Sequence, residues 1–172
     1  MVADEANIQH EPNGANQWSE IGHTPIIKVN RNRDKNHRVS VFGALSVTTG
    51  KVITFFCGWL NSDTAVQFLN RVKAYRKRLL KARKGGPLPI LLIWDGAKYH
   101  KGLNVRLWLA LNPGVVELMN FPPYCPECNP QEHVWKAMKQ YLATLRTSTI
   151  TFGELTGHAR KFLKKRFDYR LL

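Results

Sequence analysis

Residues 90–96 read ILLIWDG, and the fold turns on that run. A continuous stretch of apolar residues with no polar alternation is what a strand covered on both faces looks like. It stops at Asp95-Gly96, which as a bare dipeptide is an ordinary turn signal. The next segment, KGLNVRLWLALN (residues 101–112), has helical spacing and does not read as a hairpin partner. GVVELMNF (114–121) then reads as a second buried strand. Asp95 therefore stands at the end of the most hydrophobic strand, where α/β proteins place their sites.

Working outward, MVADEANI (1–8) reads as a short strand carrying Asp4 and Glu5, followed by the turn-rich EPNGANQWSEIGHTP (11–25). IIKVN (26–30) and RVSVFGALSV (38–47) are β-branched and alternating, and TTG turns the chain into KVITFFCGWL (51–60), a hairpin over 38–60. Val66, Leu69, Val72, Leu79 and Leu80 give helical spacing from Ser62 to about Ala82, with Ser62 or Asp63 able to cap it. KGGPLP (84–89) breaks that helix. Downstream, Asn129 to Leu145 reads as a helix with Val134, Trp135, Met138, Tyr141 and Leu145 inward, and FGELTGHARKFLKKRF (152–167) as a last, basic helix. Meandering strands followed by helix, strand, helix, strand and helices predict an α/β fold with a mixed central sheet flanked by helices.

At 172 residues the chain fits one domain with a core that needs neither disulfide nor metal. It contains no apolar run that approaches the roughly 18 to 20 residues of a membrane span. The N-terminus is polar and acidic, unlike a signal peptide, and three cysteines fit a reduced, cytoplasmic setting. The charge says more: 26 Lys+Arg against 12 Asp+Glu give a formal +14. Such an excess repels itself in a compact chain and points to an anionic partner, nucleic acid above all, rather than a membrane.

In so basic a protein each carboxylate is informative. Asp95 ends a buried strand. Glu132 opens a helix, although Asn129-Pro130-Gln131-Glu132 also makes a capping-box pattern that accounts for a glutamate on structural grounds alone. Asp4 has the weakest local case, since an acid near a terminus is usually just solvated. Three carboxylates brought together by the sheet would hold two divalent cations through oxygen ligands, and two such ions serve phosphoryl transfer. Spacing alone does not establish that site.

The stretch FPPYCPECNPQEHVWK (121–136) admits two readings. Cys125-x-x-Cys128 with His133 is how many zinc sites begin, yet a closed zinc site needs a fourth ligand, and Cys57 is far away in sequence. The other reading makes Glu132 a ligand and the cysteines bystanders. IWDGAKYHK (93–101) followed by FPPYCPECNPQEHVWKAMK (121–139) resembles the catalytic core of bacterial insertion-sequence transposases of the mariner-related DDE superfamily, whose pattern is D-N-A-x-x-H and then P-P-Y…N-P-x-E-x-x-W. VADEANI, NQWSEIGHTP and VSVFGALSVTTGKV resemble that family's opening half, so the likeness runs from about residue 2 to residue 145.

The resemblance implies a ribonuclease H-like fold with Asp4 on the first strand, Asp95 on the fourth and Glu132 on a following helix, as metal-binding catalytic residues. Thirty-six residues lie between Asp95 and Glu132, near the family separation. It implies two Mg2+ ions, with Mn2+ as a substitute, cleavage of DNA at transposon ends, and joining of the freed 3′-hydroxyl to target DNA by a dimer. His100 matches the family histidine, as a residue that orients a ligand, touches DNA or is simply packed, and Asn129 stands beside Glu132 in the same supporting place. Cys125 replaces the usual serine, Cys128 a leucine and Gly96 an asparagine. One domain over 1–172 is expected, with a shortened first strand and without the family's N-terminal helix-turn-helix region. The downstream piece of a split or frameshifted reading frame, its N-terminal region supplied by a separate polypeptide, and a truncated relic both give that pattern. The expected location is the bacterial cytoplasm, on the nucleoid.

RVKAYRKRLLKARK (71–84) holds eight basic residues and no acid. Like charges at i,i+4 cost helix stability, so Arg71, Lys73, Arg76, Lys77, Arg78, Lys81, Arg83 and Lys84 are assigned to phosphate contact, with Lys136. Trp18, in a loop, is the tryptophan expected to stack on a base, while Trp94 and Trp135 sit in core patterns. The competing readings are a catalytically silent remnant that only binds nucleic acid, and a zinc-stapled module on Cys125, Cys128 and His133.

Overall fold

A computed structural model describes residues 1–9, 20–23, 38–81, 88–122, 129–145 and 150–168. Alternating apolar residues build three antiparallel strands, β1 (Val2–Gln9), β2 (Arg38–Leu45) and β3 (Val52–Cys57). The apolar run at residue 90 is β4 (Ile90–Trp94), and β5 is Val116–Asn120. Neither is covered on both faces, contrary to the sequence expectation: Leu91 is 44% and Met119 52% exposed, and of β5 only Val116 is buried, since β5 closes the sheet as an edge strand. The sheet order is β3-β2-β1-β4-β5, with β1–β4 and β4–β5 parallel. β1 pairs with β2 residue for residue from Val2↔Leu45 to Gln9↔Arg38. Its start is stitched to β4, where the Met1 amino group donates to Leu91 O at 2.6 Å and Ile93 N–H donates to Met1 O at 2.9 Å.

Each face of the sheet carries its own core. On one lie α1 (Ser62–Lys81) and α2 (Leu103–Leu111), with Phe42 and Phe68 stacked 5.2 Å apart over Leu92, Trp94 and Trp108. On the other lie α3 (Pro130–Leu145) and α4 (Phe152–Phe162), packing Val134, Trp135, Met138, Leu142 and Leu155 on Ala6, Ile8 and Val41. Trp94 and Trp135 are core residues, as their patterns predict. No helix among the described residues is long and apolar enough to cross a membrane.

Three further sequence expectations need correction. The N-cap of α1 is Asn61, not Ser62 or Asp63: Asn61 Oδ1 accepts from Thr64 N–H at 2.8 Å while Thr64 Oγ1 accepts from Asn61 N–H at 2.9 Å. Leu79 is 40% exposed, because α1 buries Ala65, Phe68, Leu69, Val72 and Tyr75 and then runs past the sheet. The last helix ends at Phe162 rather than near residue 167, since the chain turns back to pair Arg166 with Lys51 and Phe167 N–H with Gly50 O at 2.7 Å. The expected strand at residues 26–30 lies outside the described residues.

Candidate active site

Strand alternation sends Asp4 and Glu5 to opposite faces. Asp4 lies in register with Gly43 on the face covered by α3, and Glu5 faces the α1–α2 side. Gly43 matters for closeness. A Cβ built there would lie 2.5 Å from the Trp135 ring and 2.8 Å from Gln131 Nε2, so only a glycine lets α3 settle directly on β2. That contact sets the first turn of α3, which carries Glu132, over the middle of the sheet beside Asp4.

Asp95 directly follows β4, where the Val2↔Ile93 register of the parallel β1–β4 pair sets it level with Asp4, and its side chain is 54% exposed. Its Oδ1 accepts a hydrogen bond from Ala97 N–H at 3.0 Å and lies 2.9 Å from His100 Nδ1 as an ion-pair contact, while the hydrogen bond of that ring nitrogen runs to the Asp95 main-chain O at 3.2 Å. The Ala97 bond makes the Asp95 turn, and the chain enters a 3₁₀ helix (Lys98–Lys101), not a hairpin. His100 is buried and stacks on Trp94, ring centroids 4.0 Å apart and interplanar angle 4°. Its other nitrogen, Nε2, faces Glu5 Oε1 at 2.9 Å, and Tyr99 Oη donates to Glu5 Oε2 at 3.1 Å.

The electrostatics record how the acids gather. Burial pushes the Asp4 carboxyl up to about 7, the charges of Glu5, Glu132 and Asp95 push the same way, and a bond from the Glu5 backbone partly offsets them. Burial lowers the His100 imidazole, but its hydrogen bond to Glu5, the Glu5 charge and Asp95 outweigh it and hold the ring above its ordinary value. Burial together with Glu5 raises the Tyr99 hydroxyl far above its usual range.

Glu132 is exposed, and among the described residues no hydrogen bond returns from its carboxylate to Asn129. Asn129 instead accepts from Gln131 N–H at 3.0 Å, which caps the helix without the glutamate. A complete capping box exists elsewhere, at Thr151 and Glu154 on α4. The capping explanation of Glu132 thus falls away.

Among the described residues, the three ligand-type groups whose atoms all lie within 4.8 Å of one another are Glu5, Asp95 and His100, and neither Asp4 nor Glu132 is among them. The wider set of Asp4, Asp95 and Glu132 is all oxygen, with Asp95 Oδ2 free of described hydrogen bonds, which suits a hard divalent cation.

The sequence model of the DDE superfamily endonucleases matches residues 1–155. The chain belongs to this family. Its fold matches the Mos1 transposase paired-end complex with left transposon end, at TM-score 0.68 and 18% identity over 98% of this chain and 48% of that one. It also matches the Mos1 mariner paired-end complex with Mn, at TM-score 0.65 and 18% identity over 98% and 49%. For the Mos1 catalytic domain with raltegravir and Mg the TM-score is 0.61, at 16% identity over 98% and 72%. The chain spans about half the length of the two paired-end transposase chains. No curated protein sequence matches it. The DDE chain therefore has the α/β fold with a mixed sheet that its sequence pattern predicts, in the ribonuclease H-like form that the resemblance implies.

The other sequence candidates divide by place. Arg71, Lys77, Arg78, Lys81 and Lys136 are exposed. Lys73 and Arg76 are partly buried and already engaged, Lys73 Nζ with Asn112 Oδ1 and Arg76 Nε with Leu88 O at 2.9 Å. The latter bond, with Thr49 Oγ1 against Tyr75 Oη at 3.1 Å, puts the basic end of α1 at the sheet edge opposite Asp95. The chain's main run of positive charge is therefore not beside the acids. Trp18, Arg83, Lys84, Cys125 and Cys128 lie outside the described residues, and His133 is exposed on α3. Sequence reading missed Glu5, Tyr99 and Lys101. Lys101 Nζ would lie 3.5 Å from a Cβ at Gly96, next to Asp95. The signal for Glu5 was its adjacency to Asp4 on a strand, which obliges the two to face opposite layers.

Proposed function

We propose that this DDE domain cleaves DNA at transposon ends and transfers the freed strand into target DNA, with Asp4, Asp95 and Glu132 as its metal-binding catalytic residues. The observation that carries the reading is the placement of Asp4, on β1 opposite Gly43 and close enough to Glu132 and Asp95 for their charges to act on it. Burial first, and then those neighbouring acids, push its carboxyl up to about 7, and a bound cation would relieve that cost. Two Mg2+ ions, or Mn2+ in their place, would supply the Lewis acidity that steadies charge on the attacking and leaving oxygens. Asp4 and Glu132 hold oxygen donors toward that space from the two layers of the fold, and Asp95 offers Oδ2 from the end of β4. Lys136 stands on α3 with Glu132, and Lys101 ends the 3₁₀ helix that follows Asp95; both are exposed and would supply positive charge for a DNA phosphate. The proposal includes a dimer holding two DNA ends, with sequence-specific end recognition outside this domain.

The test is nicking of supercoiled plasmid in Mn2+ by the native chain, Asp4→Asn, Asp95→Asn and Glu132→Gln. Loss of nicking by at least a hundredfold in all three supports the reading, and nicking that survives any of them defeats the assignment. The distance between the basic end of α1 and the acids favours one second reading, a chain that binds DNA without cutting it. That reading expects tight, salt-sensitive binding and no nicking in any metal.

A further inference from the structure

We infer that Glu5 and His100 form a positioning pair that fixes the Asp95 carboxylate so that one chosen oxygen faces the metal, an inference that rests on the function proposed above. Asp95 lies beyond the end of β4 with a half-exposed side chain, so nothing in the strand itself sets its rotamer. Two neighbours do: Ala97 N–H donates to Oδ1, and His100 Nδ1, hydrogen-bonded to the Asp95 main-chain O at 3.2 Å, sits 2.9 Å from that same Oδ1, which leaves Oδ2 without a described partner. The imidazole can hold both groups because it cannot swing. It lies flat on buried Trp94, with Tyr99 against its edge at 4.5 Å, and its far nitrogen is pinned by Glu5 Oε1 at 2.9 Å. Glu5 is in turn held by Tyr99 Oη on its second oxygen. The chain of contacts runs Tyr99–Glu5–His100–Asp95, from the rigid middle of β1 to the exposed end of β4.

The same three groups also meet the spacing for a metal site of their own. The geometry argues against it. Nε2 is hydrogen-bonded to Glu5 Oε1 at 2.9 Å and Nδ1 to the Asp95 main-chain O at 3.2 Å, and a carboxylate or carbonyl oxygen only accepts, so each nitrogen is engaged as a donor with no lone pair left for a cation. A histidine orienting a carboxylate ligand reverses the common arrangement in which a carboxylate orients a histidine ligand, and it is subject to the same cost when removed.

The experiment is Mn2+ calorimetry on the native chain, Glu5→Gln, Glu5→Ala, His100→Ala, Asp95→Asn and Asp4→Asn, with thermal unfolding run on each. Glu5→Gln keeps the shape and one acceptor oxygen, so it tests orientation in a chain that still packs. Expected are an affinity loss of about tenfold to a hundredfold in Glu5→Ala and His100→Ala, a smaller loss in Glu5→Gln, and unchanged affinity for duplex DNA throughout. Native-like Mn2+ affinity in Glu5→Ala and His100→Ala, with Asp4→Asn and Asp95→Asn impaired, overturns the positioning pair and leaves the acidic site standing. Mn2+ binding that depends on Glu5 and His100 but not on Asp4 overturns it differently, by putting the ion in the Glu5–Asp95–His100 group. A native chain that takes up no Mn2+ overturns both this inference and the proposed function.

Discussion

Replacing Asp4 by asparagine should stabilise the metal-free protein while abolishing the metal binding proposed for it. The Asp4 carboxyl has an ordinary value of 3.8 and is raised to about 7 in the fold, chiefly by burial. A raised carboxyl means that the folded chain keeps a proton the unfolded chain has already released. Ionising Asp4 is therefore charged to the folded state alone, starting near pH 4 and complete above pH 7. At roughly 1.4 kcal/mol per tenfold, the gap amounts to about 4 kcal/mol at pH 8 and about 2 kcal/mol at pH 5. Relaxation around the carboxylate will reduce both figures, but the sign is fixed. Asparagine carries no charge at any pH, so the difference between the two chains isolates this one group from His100, whose raised value also makes stability fall as pH rises.

The assay is urea unfolding of both chains with chelator at pH 5 and pH 8. Asp4→Asn should gain stability relative to the native chain, and the gain should grow by about 2 kcal/mol between the two pH values. Adding millimolar Mn2+ at pH 8 should then reverse the order, stabilising the native chain alone, because a ligand that binds only the folded state adds to its stability. A gain that stays constant with pH, or an asparagine chain that is less stable at both, would mean that Asp4 is not crowded by burial and neighbouring acids.

The remaining predictions use other parts of the frame. Gly43→Ala puts a methyl group within 2.5 Å of the Trp135 ring. It should cost about 1 to 3 kcal/mol in urea unfolding and lower nicking about a hundredfold while leaving duplex binding intact. Thr151→Ala removes a complete capping box on α4 and should cost about 1 kcal/mol by the same measurement, with no change in Mn2+ affinity. Changing Lys77, Arg78 and Lys81 together to alanine should flatten the slope of log affinity against log salt by about 2 to 3 in fluorescence anisotropy with duplex DNA. That triple change should leave nicking of a saturated substrate unaltered, since these residues lie at the edge opposite Asp95.

Much of the fold was legible because periodicity reports burial directly. ILLIW marked an inner strand, although Leu91 on its second face is exposed, and the alternation of RVSVFGAL set β2 in its place. What failed was local. The spacing of Leu79 marked it as inward, yet periodicity counts turns of a helix without knowing where the sheet beneath it stops. Ser62 and Asp63 are plausible caps, but Asn61 wins through the reciprocal bonds with Thr64, which no single-residue preference contains. The candidate site divides the same way. Asp95 stood out by its place at a strand end, whereas Asp4 and Glu132 stood out through the resemblance. The basic run misled in a different respect: charge density identified a surface for an anion but carried no information about which end of the molecule it occupies.

Glu5 shows why the rest was hidden. It is adjacent to Asp4 in sequence and, on a strand, points into the opposite layer. Asp4 faces the helix that brings Glu132, across a glycine that admits the close approach. Glu5 faces the buried histidine that holds Asp95. One dipeptide in the middle of the sheet thus links the two cores, and displacement of either face would be felt by a different member of the acidic set. The site's precision then comes from β1, which is paired along its whole length with β2 and stitched to β4 at its start, and not from the loops around it. It follows that loosening β1 should disturb Mn2+ affinity more than an equally destabilising change in α4, which touches neither Glu5 nor Asp95. Equal losses of Mn2+ affinity from Ile8→Ala on β1 and Leu155→Ala on α4, at matched stability, would refute this account.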